Sequence, residues 1–316
     1  MEKVKVNKPK KSFRRIMLGS YTDRGVIKST LLYILLVGIS FIFLYPLLQM
    51  LVISFMGLED LVDPTTIWIP SKIVFSNYAK AAEALGLWKA LGNSLLVSLI
   101  PSLCVVISAA FIGYGFARHE FKLKKVWFAT VIVIFLLPTI LTSIPTFVTY
   151  NRLQLLGKLW SFIIPALVGF GLRESIFILI FYSFFKGIPN ELIESAQMDG
   201  AKSFTIFLKI AVPLCIQAFL ITFLYSFVWY WNETSLAVMY LRDKYTTLPM
   251  AVMNFKTLYE TLYPSGSVGL ESASETYNQG VQFAGTLLSI IPLLIVYFFT
   301  QRWFIESVDR SGIAGQ

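Results

Sequence analysis

Charge is what this chain has least of. Only 14% of its 316 residues are Asp, Glu, Lys or Arg, while 56% are apolar and the mean hydropathy is +0.69. An ordinary soluble domain carries roughly 25% charged residues. So weak a charge content excludes a disordered chain, and it excludes a nucleic-acid partner despite the net charge of +9. Histidine and cysteine are almost missing as well. His119 stands alone, and Cys104 and Cys215 lie in separate apolar runs with no CxxC spacing, so each cysteine reads as a small hydrophobe and no metal site is expected. There is no GxxxxGK[ST] phosphate loop and no GxSxG elbow. No residue is therefore put forward as catalytic, and any nucleotide energy has to come from another subunit.

What the chain does have is length without charge. Ser29–Leu58, Ala90–Ala117, Val126–Asn151, Ile210–Asn232 and Thr276–Gln301 contain no Asp, Glu, Lys, Arg or His, and a sixth block, Leu159–Phe185, is interrupted only by Arg173 and Glu174. About 20 such residues suffice to cross a bilayer as a helix. The expected fold is all-α, a polytopic membrane protein with six spans; the runs lack the alternation that a β-barrel requires. Pro46, Pro101, Pro138, Pro145, Pro213 and Pro292 fall in or beside these spans and predict kinks or broken turns.

Lysine and arginine set the expected orientation. Segments on one side, including the N-terminal 28 residues, hold 18 of the 27 basic residues, which places both termini in the cytoplasm. The reading is a basic arm over residues 1–28, a membrane domain over 29–305 and a cytoplasmic tail over 306–316. The arm either meets anionic lipid or contacts a partner.

One segment between spans stands out, residues 186–209. Pro189 is placed to open a helix, Glu191 and Glu194 fall in its first turns, where carboxylates complement the helix dipole, and Gly200 is placed to end it. A second helix should start near Ser203 and run on into the fifth span. Helices that lie on membranes favour Lys and Arg, whereas this one carries Glu191, Glu194 and Asp199, which suit a protein groove that supplies arginines.

Glu194-Ser195-Ala196, three residues, Gly200, nine residues, then Ile210-Ala211-Val212-Pro213 resembles the EAA motif of membrane subunits of binding-protein-dependent ABC importers. Ser195 and Val212 stand where Ala and Leu are usual. The approach Phe184-Phe185-Lys186-Gly187-Ile188-Pro189-Asn190-Glu191-Leu192 resembles carbohydrate importers of the maltose type. Further matches include Asn93-Ser94-Leu95, Gly113-Tyr114, Phe116-Ala117-Arg118, Trp231-Asn232-Glu233 and Thr247-Leu248-Pro249, and the resemblance covers about residues 30 to 315. The tail Ser311-Gly312-Ile313-Ala314-Gly315 departs from the family's usual ending.

The resemblance implies a sugar permease without an ATPase site of its own. Its partners would be a homologous second permease subunit, two ABC ATPase subunits that use ATP and Mg, and an extracellular sugar-binding protein. Glu191, Glu194, Ser195, Ala196, Asp199, Gly200, Ile210 and Pro213 would then form the part that couples to the ATPase. The competing classes are an ion-coupled secondary transporter, for which six spans without a two-half repeat are few, and a membrane enzyme, for which catalytic clusters are missing.

Within the spans, Arg173 counts to roughly 20 Å along a continuous fourth helix at 1.5 Å per residue, near the bilayer centre. There an unpaired Arg costs about 2.5–3.5 kcal/mol on insertion scales. Arg173 and Glu174 are read either as structural ion-pair partners of other helices or as lining of the sugar path. Tyr225, Trp229, Tyr230 and Trp231 read first as an aromatic belt, with Tyr225, Trp229, Asn232 and Glu233 kept as pathway candidates. The connection 233–275 is expected to be a long extracellular loop without a core of its own that meets the binding protein.

Overall fold

The computed structural model describes residues 25–264 and 276–313, with the side chains of 303–313 excepted. Residues 1–24 of the basic arm, part of the 233–275 connection and the last residues of the tail lie outside this description, and the arm's final residues already belong to the first helix. The described residues contain helices and no strand. The chain divides into two compact units, residues 1–74 and 75–316.

In the first unit, α1 (Val26–Ser54) is apolar on every side and contains Pro46, so it requires lipid or protein around its whole circumference. After α2 (Leu58–Val62) the chain folds back, with Val74 N–H donating to the Phe55 carbonyl at 2.9 Å and Ser71 N–H to Asp60 Oδ2 at 3.1 Å. The next turn is built on Asp63. The Thr65 N–H and hydroxyl, at 2.9 and 2.8 Å, hold its carboxyl below the usual carboxylate range.

The second unit begins with α3 (Ser76–Leu85) and is organised around α4 (Leu87–Arg118), which packs most heavily on α8 (Glu174–Lys186) and α12 (Ile216–Asn232). The reason is the size of its side chains. Ser94, Ser98, Ser102, Ala109, Ala110 and Gly113 are buried along α4, and small residues let helix backbones approach closely in membranes. Two of these hydroxyls bond back along the helix, Ser98 to the Ser94 carbonyl at 2.7 Å and Ser102 to that of Ser98 at 2.6 Å.

Among the described residues, three helices are each long and apolar enough to cross a membrane: Val26–Ser54, Leu87–Arg118 and Gln279–Arg302 of α16 (Gln279–Ile313). Three more spans are available if each bent pair of helices counts as one. The breaks have local causes. Between α5 (Lys124–Leu136) and α6 (Thr139–Arg152) the chain turns by 103° at Leu137-Pro138. Leu137, forced out of the helical region by the following proline, has φ −74° and ψ 127°.

Two spans expected to be continuous are not. The fourth divides into α7 (Trp160–Leu167) and α8, separated by residues 168–173, so Arg173 lies at a break rather than in mid-helix. The fifth does not run on from Ser203 as one helix. α10 (Ser203–Ile206) passes into a π-helical stretch, Phe207–Ala211, then α11 (Val212–Leu214), and bends by 77° at Cys215 before α12. Pro213 has no N–H for the carbonyl of Lys209, and the loosened turn winds wider instead.

The connection after α12 also differs from the expected coreless loop. α13 (Ser235–Leu241), α14 (Leu248–Met253) and α15 (Phe255–Leu262) fold back on the unit. Ala251, Phe255 and Tyr259 form a buried cluster with Ala81, Ala84, Leu85, Val281 and Ala284. Phe255 and Tyr259 are both buried, and Tyr263 donates to Glu83 Oε2 at 2.5 Å. Alternation was too weak to reveal this core because its apolar residues come from four separate elements. Two sequence motifs meet at its edge: Asn93 Nδ2 donates to the Thr246 carbonyl at 3.0 Å, and Leu248 N–H to Ser94 Oγ at 2.7 Å.

Candidate functional site

Two sites follow from this architecture, one at the turn between α8 and α11, the other at the break before α8. At the first, α9 (Asn190–Met198) leaves α8 at 73°. Pro189 stands just outside it as the N-cap and Glu191 occupies the first turn. Its end is a Schellman motif: Gly200 N–H donates to the Gln197 carbonyl at 2.9 Å and Ala201 N–H to that of Ala196 at 3.0 Å, with Gly200 at φ +80°. The fixed distance from Glu194 to Gly200 in the sequence is thus the distance from the helix body to its left-handed cap.

Ile193 is buried and faces the unit, while Glu191, Glu194, Ser195, Asp199 and Gly200 are exposed and Ala196 is half-buried. Leu192 and Met198 are exposed beside them, at 45% and 88%. The free face of α9 is therefore a carboxylate rim around two large apolar side chains. Ile210 and Pro213 lie in and after the π-helical stretch, where they shape the return to the membrane helices.

Both flanks of α9 are held by α4. Arg118, the last residue of α4, donates to Asn190 Oδ1 at 2.7 Å, to the Phe185 carbonyl at 2.6 Å and to the Ile188 carbonyl. Tyr114 packs on Phe185 at 5.3 Å and on Phe207 at 4.9 Å, and Phe111 also meets Phe207 at 4.9 Å. Sequence reasoning gave Arg118 as a basic residue at a span exit, within the family match Phe116-Ala117-Arg118, and assigned it no contact. A further signal was its position directly after a run of 28 residues, Ala90–Ala117, without charge.

At the second site, Arg173 has φ +51°, a left-handed conformation that costs a non-glycine residue about 1–2 kcal/mol. Such strain persists where the surroundings hold it and gathers at functional positions. Its guanidinium lies 5.2 Å from the Trp229 ring centroid, a cation–π contact. Tyr225 lies 6.1 Å from the same ring and is 42% exposed. Arg173 is exposed and Trp229 half-buried, so the three form an accessible patch with two aromatic rings and a cation.

The other pathway candidates are engaged elsewhere. Glu174 is 1% exposed, turned inward on α8, with Ser108 Oγ at 2.5 Å from Oε1 and Gly171 N–H donating to Oε2 at 2.6 Å. It clamps the α7–α8 break to α4. Asn232 donates to the Val228 carbonyl at 2.9 Å, and Glu233 accepts from Leu236 N–H at 2.9 Å, tying the start of α13. The aromatic belt also needs correction: Tyr230 and Trp231 are 1% and 3% exposed. The Tyr230 hydroxyl accepts from Leu172 N–H at 2.9 Å, so this ring is drawn inward to satisfy the backbone of the break. Ser108 gave no signal in the sequence, and Tyr230 was read there only as part of an aromatic belt.

The clamp at Glu174 makes a prediction. Glu174→Leu strands the Gly171 N–H, and an unsatisfied buried group costs about 1–3 kcal/mol, whereas Glu174→Gln keeps an acceptor for it. Purified Glu174→Leu should aggregate on heating several degrees below the parent, with Glu174→Gln close to the parent. Equal midpoints for all three would remove the clamp.

Long or broken apolar helices, with a capped acidic helix between two of them, are the features that this fold brings together. The chain belongs to the family of binding-protein-dependent transport system inner membrane components, whose model matches residues 106–310. It is 28% identical to the arabinooligosaccharides transport system permease protein AraQ of Halalkalibacterium halodurans, over 92% of this chain and 98% of that protein. It is 27% identical to the polygalacturonan/rhamnogalacturonan transport system permease protein YtcP of Bacillus subtilis, over 90% of this chain and 97% of that one. Among solved structures, a bacterial ABC transporter involved in the import of the acidic polysaccharide alginate shares the fold. The TM-score is 0.71 at 22% identity, over 88% of this chain and 96% of that one.

Proposed function

We propose that the chain is the permease subunit of an ATP-driven importer that moves a sugar or oligosaccharide, delivered by an extracellular binding protein, into the cytoplasm by alternating access. The observation that carries this reading is α9: a helix fixed by its own cap and by α4, with carboxylates and two apolar side chains turned outward. Such a surface suits a cleft on an ATPase subunit that offers arginines and an apolar floor. The relatives AraQ and YtcP are named for arabinooligosaccharides and for polygalacturonan/rhamnogalacturonan, which supports a carbohydrate substrate.

In this reading the chain pairs with a homologous permease subunit, and two ATPase subunits supply ATP hydrolysis with Mg. No cofactor is held by the chain itself, and both termini are cytoplasmic. Closure of the ATPase dimer draws the two docking helices together and rotates the membrane helices as rigid bodies. Arg173, Trp229 and Tyr225 line the path. An aromatic face stacks on a sugar ring and the guanidinium bonds its oxygens.

The test is the purified complex of this chain with its ATPase, second permease and binding protein, assayed for ATPase stimulation across a panel of mono- and oligosaccharides. Stimulation by at least one sugar is expected, and Trp229→Ala should raise the sugar concentration needed for uptake several-fold. No stimulation by any carbohydrate in an assembled complex would overturn the substrate class.

A further inference from the structure

The elbow between α8 and α9 needs more than backbone to keep its angle. Residues 187–189 connect the two helices, and a Gly-Ile-Pro connection has no side-chain hydrogen bond of its own to offer. A helix carried on such a connection would swing, and a swinging helix cannot pass a displacement on to the helices behind it.

We infer that Arg118 is the positioning residue that locks this elbow, so that α9 moves as one body with α4 and α8. Its guanidinium reaches three points that differ in kind. The Phe185 carbonyl is among the last of α8, the Ile188 carbonyl belongs to the connection, and Asn190 Oδ1 is the first residue of α9. One planar fork thus spans both helix ends and the link between them, a geometry that lysine, a point donor, cannot copy. The positive charge also sits against the C-terminus of α8, where the helix dipole favours it.

The rest of the contact is apolar. Phe185 and Phe207 are buried, and Tyr114 bridges them, so the stretch that follows α9 is bound to the same end of α4. Arg118 Nε is buried with no acceptor among the described residues. The guanidinium is therefore held by its two terminal nitrogens, and removing their partners should release it. Asn190 is exposed and gives a way to loosen one point of the fork without touching the core.

The role in coupling rests on the importer reading, but the lock is measurable without it. Spin labels on Lys122, just after α4, and on Ser195, on α9, are placed in a chain whose Cys104 and Cys215 are replaced by alanine. The parent should give a narrow distance distribution by pulsed electron resonance. Arg118→Ala and Arg118→Lys should broaden it clearly, and Asn190→Ala should broaden it less. Unchanged distributions in folded variants overturn the lock. If Arg118→Ala does not fold, Arg118→Lys and Asn190→Ala decide.

In the complete transporter the readout is sugar molecules moved per ATP hydrolysed, which a loss of assembly alone does not change. Arg118→Lys should lower that ratio about five-fold and Asn190→Ala about two-fold. A parent complex that couples, beside variants that couple at the same ratio, overturns the role of Arg118 in coupling. A parent complex whose ATPase ignores every sugar counts instead against the importer reading and leaves the distance measurement to judge the lock.

Discussion

Replacing Gly113 by valine is expected to prevent the chain from reaching a stable assembled state. Gly113 lies where α4 crosses α8, and a Cβ there would sit 2.6 Å from Phe181 Cβ, 3.0 Å from the Tyr182 nitrogen and 3.1 Å from the Ile178 oxygen. Two of these three atoms are backbone and cannot swing aside. Overpacking a core ordinarily costs about 1–3 kcal/mol because side chains shift. Here the helices themselves must separate. Phe177, Phe181 and Phe185, all buried on α8, would lose their packing together, and Phe181 would lose its contact with Phe219 of α12 at 4.7 Å. Gly115 supplies the control, since a Cβ there meets, outside its own helix backbone, no atom of the described residues within 4 Å. Size-exclusion profiles and thermal midpoints should show Gly113→Val aggregated or undetected and Gly115→Val near the parent. Normal behaviour of Gly113→Val would mean that α4 and α8 do not pack as described.

The second large effect concerns Gly200, for a different reason. A Cβ at Gly200 meets nothing within 4 Å, so space is not at issue. What matters is φ +80°, which closes the Schellman motif at the end of α9. Valine in a left-handed conformation costs about 1–2 kcal/mol, and 1.4 kcal/mol is about a factor of ten in an equilibrium. Gly200→Val should therefore unwind the last turn, which holds Ser195 and Ala196, and displace Glu194. ATP-driven uptake should fall about tenfold while the purified chain remains folded. Asparagine tolerates the left-handed region far better, so Gly200→Asn should retain most of the uptake. Equal loss in both variants would show that backbone conformation is not the cause, and no loss in either would separate the cap from transport.

The contrast between the two glycines mirrors what the sequence could and could not disclose. α9 was legible because its determinants are local: a proline at the entry, carboxylates in the first turn and a glycine at the exit. The apolar runs were legible for the same reason, since bilayer thickness acts on consecutive residues. The break in the fifth span was legible in Pro213, but the break inside the fourth was not. Residues 168–173 leave the helix with the Leu172 N–H taken by Tyr230, 58 positions on, and the Gly171 N–H taken by Glu174, which Ser108 holds from 66 positions back. Counting along a supposed continuous helix therefore placed Arg173 at a depth but gave its backbone the wrong conformation. Arg118 was hidden in the same way, for its meaning lies in carbonyls 67 and 70 positions further on.

The candidate sites divide along this line. Every residue assigned to the docking segment lies in or beside α9 and the π-helical stretch, as their spacing implied. Of the six pathway candidates, only Arg173, Trp229 and Tyr225 come together. Glu174 was singled out as a charge in an apolar run, a signal that does not distinguish a side chain facing a path from one that fastens a break.

The central claim is that this chain transports only when an ATPase drives it through α9. The most direct measurement is sugar uptake into proteoliposomes containing the complete transporter and its binding protein, with ATP enclosed and the ion gradients dissipated by ionophores. Uptake that requires enclosed ATP and continues without ion gradients is the predicted result. Uptake that stops when the gradients collapse while ATP persists, or that proceeds without the ATPase subunits, would contradict it and assign the chain to ion-coupled secondary transport.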